Sequence, residues 1–190
     1  MRTFIAITLP EDIRDSLEKV QKQLKTSQAD VKWVEPKNIH LTLKFLGEID
    51  NSQLEKIIAI LGDTAKNQAA FLCRISSVGA FPRDNSPRVI WAGIDLGDEE
   101  IKQIAKRLET NLLGLGFPPE DKPFSSHITL GRTKSSLNRD SLVKGLLDLQ
   151  KKAEKETIAF SVNKITLFKS TLTPLGPIYE PLKEVILTMS

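Results

Sequence analysis

Apolar and polar positions along this 190-residue chain change period again and again. Residues 2–9, RTFIAITL, are apolar and β-branched and stop at Pro10, the pattern of a strand. From 11 to 25, Ile13, Leu17, Val20 and Leu24 recur at three- and four-residue spacing, which predicts an amphipathic helix. A short strand over 31–34 and a longer one over 39–49 follow. Next comes a helix over 51–65, capped by Asn51 or Ser52. Strands at 71–81 and 88–96 flank the turn-rich loop PRDNSP. A helix over 97–116 stops at Gly114 and Gly116. A strand over 124–134, a helix over 138–152 and strands over 157–171 and 177–188 close the chain. The charged run KKAEKE at 151–156 reads as a solvated helix end.

This order places helices between groups of strands, with no strict strand–helix alternation, and so predicts an α+β fold with mainly antiparallel pairing. The two halves also rhyme: each holds a helix, a polar loop, a strand and another helix. We expect a single domain over 1–190 made of two lobes. Two mainly antiparallel sheets, related by a pseudo-twofold duplication, would face a central cleft, with the helices outside.

Composition narrows the setting. No stretch approaches the roughly 20 apolar residues of a membrane span. The N-terminal apolar run is too short for a signal peptide. Cys73 is the one cysteine, so no internal disulfide forms, and a reducing, cytoplasmic compartment is expected. A net charge of +3 permits phosphate or nucleic-acid partners without requiring them. We expect a monomer.

The chemistry is concentrated in one repeated word. The two histidines, His40 and His127, open HLTL and HITL, about half a chain apart. With 13 threonines and 25 leucines available, a chance match at both histidines is on the order of one in ten thousand. Strand alternation puts His40, Thr42 and Lys44 on one face, with Leu41, Leu43 and Phe45 turned into the core. His127 and Thr129 share a face in the same way, backed by Ile128 and Leu130. Arg132 falls on the wrong face of an unbroken strand and needs a bulge at Gly131 to join them.

Two histidines are a natural general acid and general base near neutral pH. A threonine beside each can donate to a phosphoryl oxygen, and Lys44 and Arg132 can neutralise its charge. This set suits attack on a phosphodiester without metal. Two histidines alone are too few ligands for a zinc site. Cys73 sits in an apolar run and reads as core, and Ser125 and Ser126 show no third partner for a nucleophile. The bland alternative is a pair of satisfied strand histidines. Trp33 and Trp91 read as half-buried strand residues, with base stacking as the other reading. Arg83 and Arg88 are either solvated or at a cleft mouth.

The segments RTFIAITLP, NIHLTLKFLGEI, PRVIWAGI and PFSSHITLGR, in this order, resemble the RNA 2′,3′-cyclic phosphodiesterases, also called 2′-5′ RNA ligases, of the two-histidine phosphoesterase superfamily. The resemblance spans most of the chain. One departure is Ser126, where relatives often have proline before the second histidine. The resemblance implies a bilobal α+β enzyme with no cofactor and no metal. It would open 2′,3′-cyclic phosphate ends of RNA, such as those of tRNA fragments, to 2′-phosphomonoesters, and by reversal of the same chemistry would carry out reversible 2′-5′ RNA ligation. By the same resemblance His40 donates the proton to the departing 3′ oxygen and His127 accepts one from water. Thr42 and Thr129 hold the non-bridging oxygens. A cyclic phosphodiesterase of small nucleotides and a non-catalytic nucleotide- or RNA-binding module are the alternatives.

Overall fold

The structure, a computed structural model, describes residues 1–153 and 158–189. The expected strand start at Thr157 and residues 154–156 of the charged run lie outside the described residues. The elements are β1 (Arg2–Thr8), α1 (Glu11–Lys25), β2 (Val31–Trp33), a 3-10 turn (Pro36–Asn38) and β3 (His40–Glu48). They continue with α2 (Asn51–Lys66), β4 (Phe71–Arg83), β5 (Ser86–Ile94), α3 (Asp98–Leu113), β6 (His127–Thr133) and α4 (Arg139–Ala153). β7 (Ile158–Val162), β8 (Lys164–Thr173) and β9 (Gly176–Ile186) end the chain.

The helices follow their apolar stripes. α1 buries Ile13, Leu17, Gln21 and Leu24, and α3 buries Ile101, Ile104, Ala105, Leu108 and Leu112. The cap of α2 is Asp50, one residue before those expected. Its carboxylate accepts from the Gln53 backbone N–H at 2.8 Å, and the Gln53 side chain accepts from the Asp50 N–H at 3.1 Å. This reciprocal pair satisfies two otherwise orphaned donors, and Ser52 supports it by donating its hydroxyl to the Asp50 carboxylate at 2.9 Å rather than by capping the helix itself.

Two sheets were expected, and the strands instead form one. The order is β7-β4-β5-β6-β3-β1-β8-β9, with β2 paired to β6. Every pairing between these strands is antiparallel. The two halves meet at β3 and β6 through a single residue pair, Leu41 with Ile128. Both side chains are fully buried. The long strand expected from residue 157 onward is also two strands. β7 pairs with β4 in one half of the sheet, and β8 pairs with β1 in the other. The chain crosses from one half to the other at Asn163.

The expected rhyme has a topological form. β1, α1, β3, α2 and β4 are echoed by β5, α3, β6, α4 and β8. The last strand of each set pairs with the first strand of the other, β4 with β5 and β8 with β1. This exchange brings the two histidine strands to the middle of the sheet.

Candidate active site

The Leu41–Ile128 pair fixes the geometry of the site. In an antiparallel ladder its neighbours face each other, so His40 lies opposite Thr129 and Thr42 opposite His127. Leu41 and Ile128 point into the core, and the four polar residues emerge together on the other face. His40, Thr42, Thr129 and Arg132 line a cavity of about 420 Å³ with Phe45 and Tyr179. His127 stands beside this cavity rather than in its lining, with its ring edge-on to Phe81 at 5.1 Å.

Both imidazoles are held alike. His40 Nδ1 lies 2.7 Å from the Asn38 carbonyl, and His127 Nδ1 lies 2.8 Å from the Ser125 carbonyl. A carbonyl only accepts, so Nδ1 carries the hydrogen in each ring and Nε2 is left for chemistry. His40 Nε2 lies 2.9 Å from Thr42 Oγ1. The His40 ring also packs against Phe4 at 4.9 Å and Tyr179 at 5.4 Å, two rings that meet each other at 4.8 Å.

Burial pushes both imidazoles below the ordinary histidine range, because a charged ring loses water there. The Asn38 and Ser125 carbonyls act in the opposite sense, and the Arg132 charge depresses His127 further.

Each histidine strand breaks its alternation at the last letter of the word. Along β3, Ile5 pairs with Lys44 and Ala6 with Thr42, so Leu43 has no partner. Along β6, Ile90 pairs with Gly131 and Trp91 with Thr129, so Leu130 has none. Each is a bulge that reverses which later residues face the cavity.

The bulge on β3 removes Lys44 from the site. Its side chain is buried behind the sheet, where Nζ donates to the Pro118 carbonyl at 2.7 Å. Glu109 and Glu120 lie 3.7 and 3.6 Å away. The expected phosphate contact from Lys44 is therefore corrected: unbroken alternation placed it on the cavity face, and the extra residue turns it away. Phe45, assigned to the core by the same rule, is 60% exposed and lines the cavity. The bulge on β6 works the other way and carries Arg132 into the cavity. Gly131 is what lets β2 approach there, since a Cβ would lie 2.8 Å from Val31 Cγ1 and 2.9 Å from Trp33 Cε3.

Of the aromatic residues, Trp33 lines the cavity, with the Lys25 ammonium 5.9 Å from its ring centroid. Trp91 lies outside that lining and packs against Phe81 on the His127 side. Arg83 and Arg88 are exposed and outside the lining. Cys73 is buried, its thiol pushed up to about 12 by desolvation first and by Glu100 and Asp98 second, which suits a packing role. Among the described residues, no three His, Cys, Asp or Glu side chains converge as metal ligands would. No helix among them is long and apolar enough to cross a membrane. Sequence reasoning missed Phe45 and Tyr179, and an aromatic residue five positions after the first histidine was the available signal.

The chain is similar to known proteins over nearly its whole length. The family described as LigT-like phosphoesterase matches residues 7–91 and again residues 94–179, one match per half. The RNA 2′,3′-cyclic phosphodiesterase of Methanothermobacter thermautotrophicus is 36% identical over 179 residues, covering 94% of this chain and 95% of that protein. The protein of the same name from Methanocaldococcus jannaschii is 36% identical over 184 residues, covering 97% and 99%. Among solved structures, TT0787 of Thermus thermophilus superposes with a TM-score of 0.79 at 30% identity, covering 98% of each chain. E. coli LigT complexed with 3′-AMP superposes with a TM-score of 0.78 at 27% identity, covering 99% and 98%. With two matches that together span most of the sequence and a histidine strand inside each, the chain belongs to the LigT-like phosphoesterase family.

Proposed function

We propose that this protein opens 2′,3′-cyclic phosphate ends of RNA to 2′-phosphomonoesters, with the two histidines as acid and base and no metal. The observation that carries the reading is the alternating square on β3 and β6. Two imidazoles, each anchored through Nδ1 with Nε2 left for chemistry, face a threonine across one antiparallel pair. The matching relatives bear the name of this activity.

In the proposed reaction, His127 Nε2 takes a proton from water as its oxygen attacks phosphorus. The bond from phosphorus to the 3′ oxygen breaks, and His40 Nε2–H gives that oxygen its proton. Thr42 and Thr129 donate to the non-bridging oxygens, and Arg132 offsets their charge. Phe45, Trp33 and Tyr179 supply aromatic surface on which the terminal base stacks. A 5′-hydroxyl in place of water gives a 2′-5′ linkage, so ligation follows from the same site. The protein acts as a monomer in the cytoplasm.

The test is hydrolysis of a short RNA ending in a 2′,3′-cyclic phosphate, with EDTA present. Opening to the 2′-phosphate, lost in His40→Ala and in His127→Ala, is the expected result. No opening by the wild type refutes the reading. A mononucleotide substrate is the second reading, favoured by the 3′-AMP bound to the E. coli relative. Equal kcat/KM on a cyclic mononucleotide and on longer RNA would select it.

A further inference from the structure

Gln21 is fully buried on α1, an unusual place for an amide. Its Nε2 lies 2.8 Å from the Val34 carbonyl and 2.9 Å from the Leu130 carbonyl. Both partners are acceptors, so the nitrogen must face them, and this fixes the orientation of the amide. Oε1 is then buried with no hydrogen-bond partner among the described residues. An orphaned acceptor is costly, and leucine or methionine would fill the same core volume without it. What the amide supplies in return is a pair of hydrogen bonds at one particular place.

That place is the bulge on β6. Leu130 is the residue without a partner on β5, and its carbonyl accepts both from Gln21 and from the Val34 backbone N–H at 2.9 Å. Gln21 therefore ties the bulged residue to the exit of β2 from behind the sheet. Two residues on, Arg132 enters the cavity only because the bulge has reversed the alternation.

We propose that Gln21 is a positioning residue, which locks the Leu130 bulge and through it holds Arg132 toward the phosphoryl group. The inference rests on the phosphate role proposed above for Arg132. It does not place Gln21 in contact with substrate.

The test compares Gln21→Met, Arg132→Met and the double variant by two readouts. The first is steady-state hydrolysis of the cyclic-phosphate RNA. Loss of one charge-assisted contact is expected to raise KM by about 10- to 100-fold in Arg132→Met. Gln21→Met should raise KM by about 10-fold with kcat within about threefold, and the double variant should be no worse than Arg132→Met. The second readout is the His127 titration by NMR, which needs no turnover. It should move to higher pH in Gln21→Met, as in Arg132→Met, because the arginine charge has left its neighbourhood. If the wild type is inactive on RNA but both variants move His127 together, the positioning stands and the proposed activity falls. Losses that multiply in the double variant, with His127 unmoved in Gln21→Met, overturn the positioning. Should Gln21→Met fail to fold, Gln21→Asn keeps the donor on a shorter arm and takes its place. Failure of both to fold also overturns it, since Gln21 would then serve the core alone.

Discussion

Lys44→Met separates the two faces of β3. Methionine keeps an unbranched stem of similar length, so the packing behind the sheet is largely preserved. What is lost is the charge-assisted hydrogen bond to the Pro118 carbonyl at 2.7 Å, worth about 1.5–3 kcal/mol. The ion pairs add little. The carboxylates of Glu109 and Glu120 lie 3.7 and 3.6 Å away but remain 37% and 58% exposed, so water screens each pair to less than about 1 kcal/mol. Relief from burying the ammonium acts in the opposite direction. The balance is a loss of about 2 kcal/mol, which for a chain of this size lowers Tm by about 4–8 °C. Urea unfolding should show a lower midpoint at unchanged slope. Hydrolysis of the cyclic-phosphate RNA should keep kcat/KM within about threefold of wild type, because Lys44 faces away from the cavity. A loss of more than about 30-fold in kcat/KM at unchanged stability would refute the reasoning. The ammonium would then reach substrate, and β3 would run without its bulge.

Phe45→Ala should behave in the reverse way. Its ring is mostly exposed, so stability should change by less than about 0.5 kcal/mol, whereas loss of one stacked base should raise KM by about 5- to 100-fold; unchanged KM in a binding titration or rate assay would remove it from the site. The pH profile follows from the burial of both imidazoles. Each is depressed below the ordinary value of 6.5, so the acid loses its proton early, and the alkaline limb of kcat/KM should fall below about pH 6.5. A bound phosphoryl anion favours the charged rings, so the alkaline limb of kcat should lie at higher pH than that of kcat/KM; an alkaline limb of kcat/KM above pH 7 contradicts this. The two limbs belong to the pair rather than to either ring.

The elements were legible because periodicity is local, and the pairing was less legible because it is not. One apolar run shows both. In TIAFSVNKITLF, Phe160 and Val162 are buried on one phase, and Ile165 and Leu167 on the other. The slip at Asn163 was written in the sequence, but it becomes a change of partner only when β7 finds β4 and β8 finds β1. The single sheet was hidden for a similar reason, since one residue pair joins its halves.

The bulges divide in a more telling way. Gly131 advertised a departure on β6, because only glycine tolerates the approach of Val31 and Trp33. Nothing equivalent marks the first of the two register shifts on β3, where the unpaired residue Leu43 is an ordinary leucine and an alternation count runs straight through it. That is why Lys44 and Phe45 were exchanged. The repeated word itself held the missing information. A strand needs only His-x-Thr to present an imidazole and a hydroxyl on one face, with the middle residue in the core. The fourth letter is leucine in both copies, and in both it is the residue that bulges, Leu43 and Leu130. Both are buried, so an apolar residue at that position anchors the extra backbone in the core while the strand changes phase. The consequence falls five residues after each histidine. Phe45 and Arg132 occupy equivalent places in the two halves, an aromatic face on one side and a cation on the other. The duplicated word thus sets two like ends, and the bulge after each makes the cavity between them unlike at its walls, as the substrate proposed above, with a base at one side and a phosphate at the other, requires.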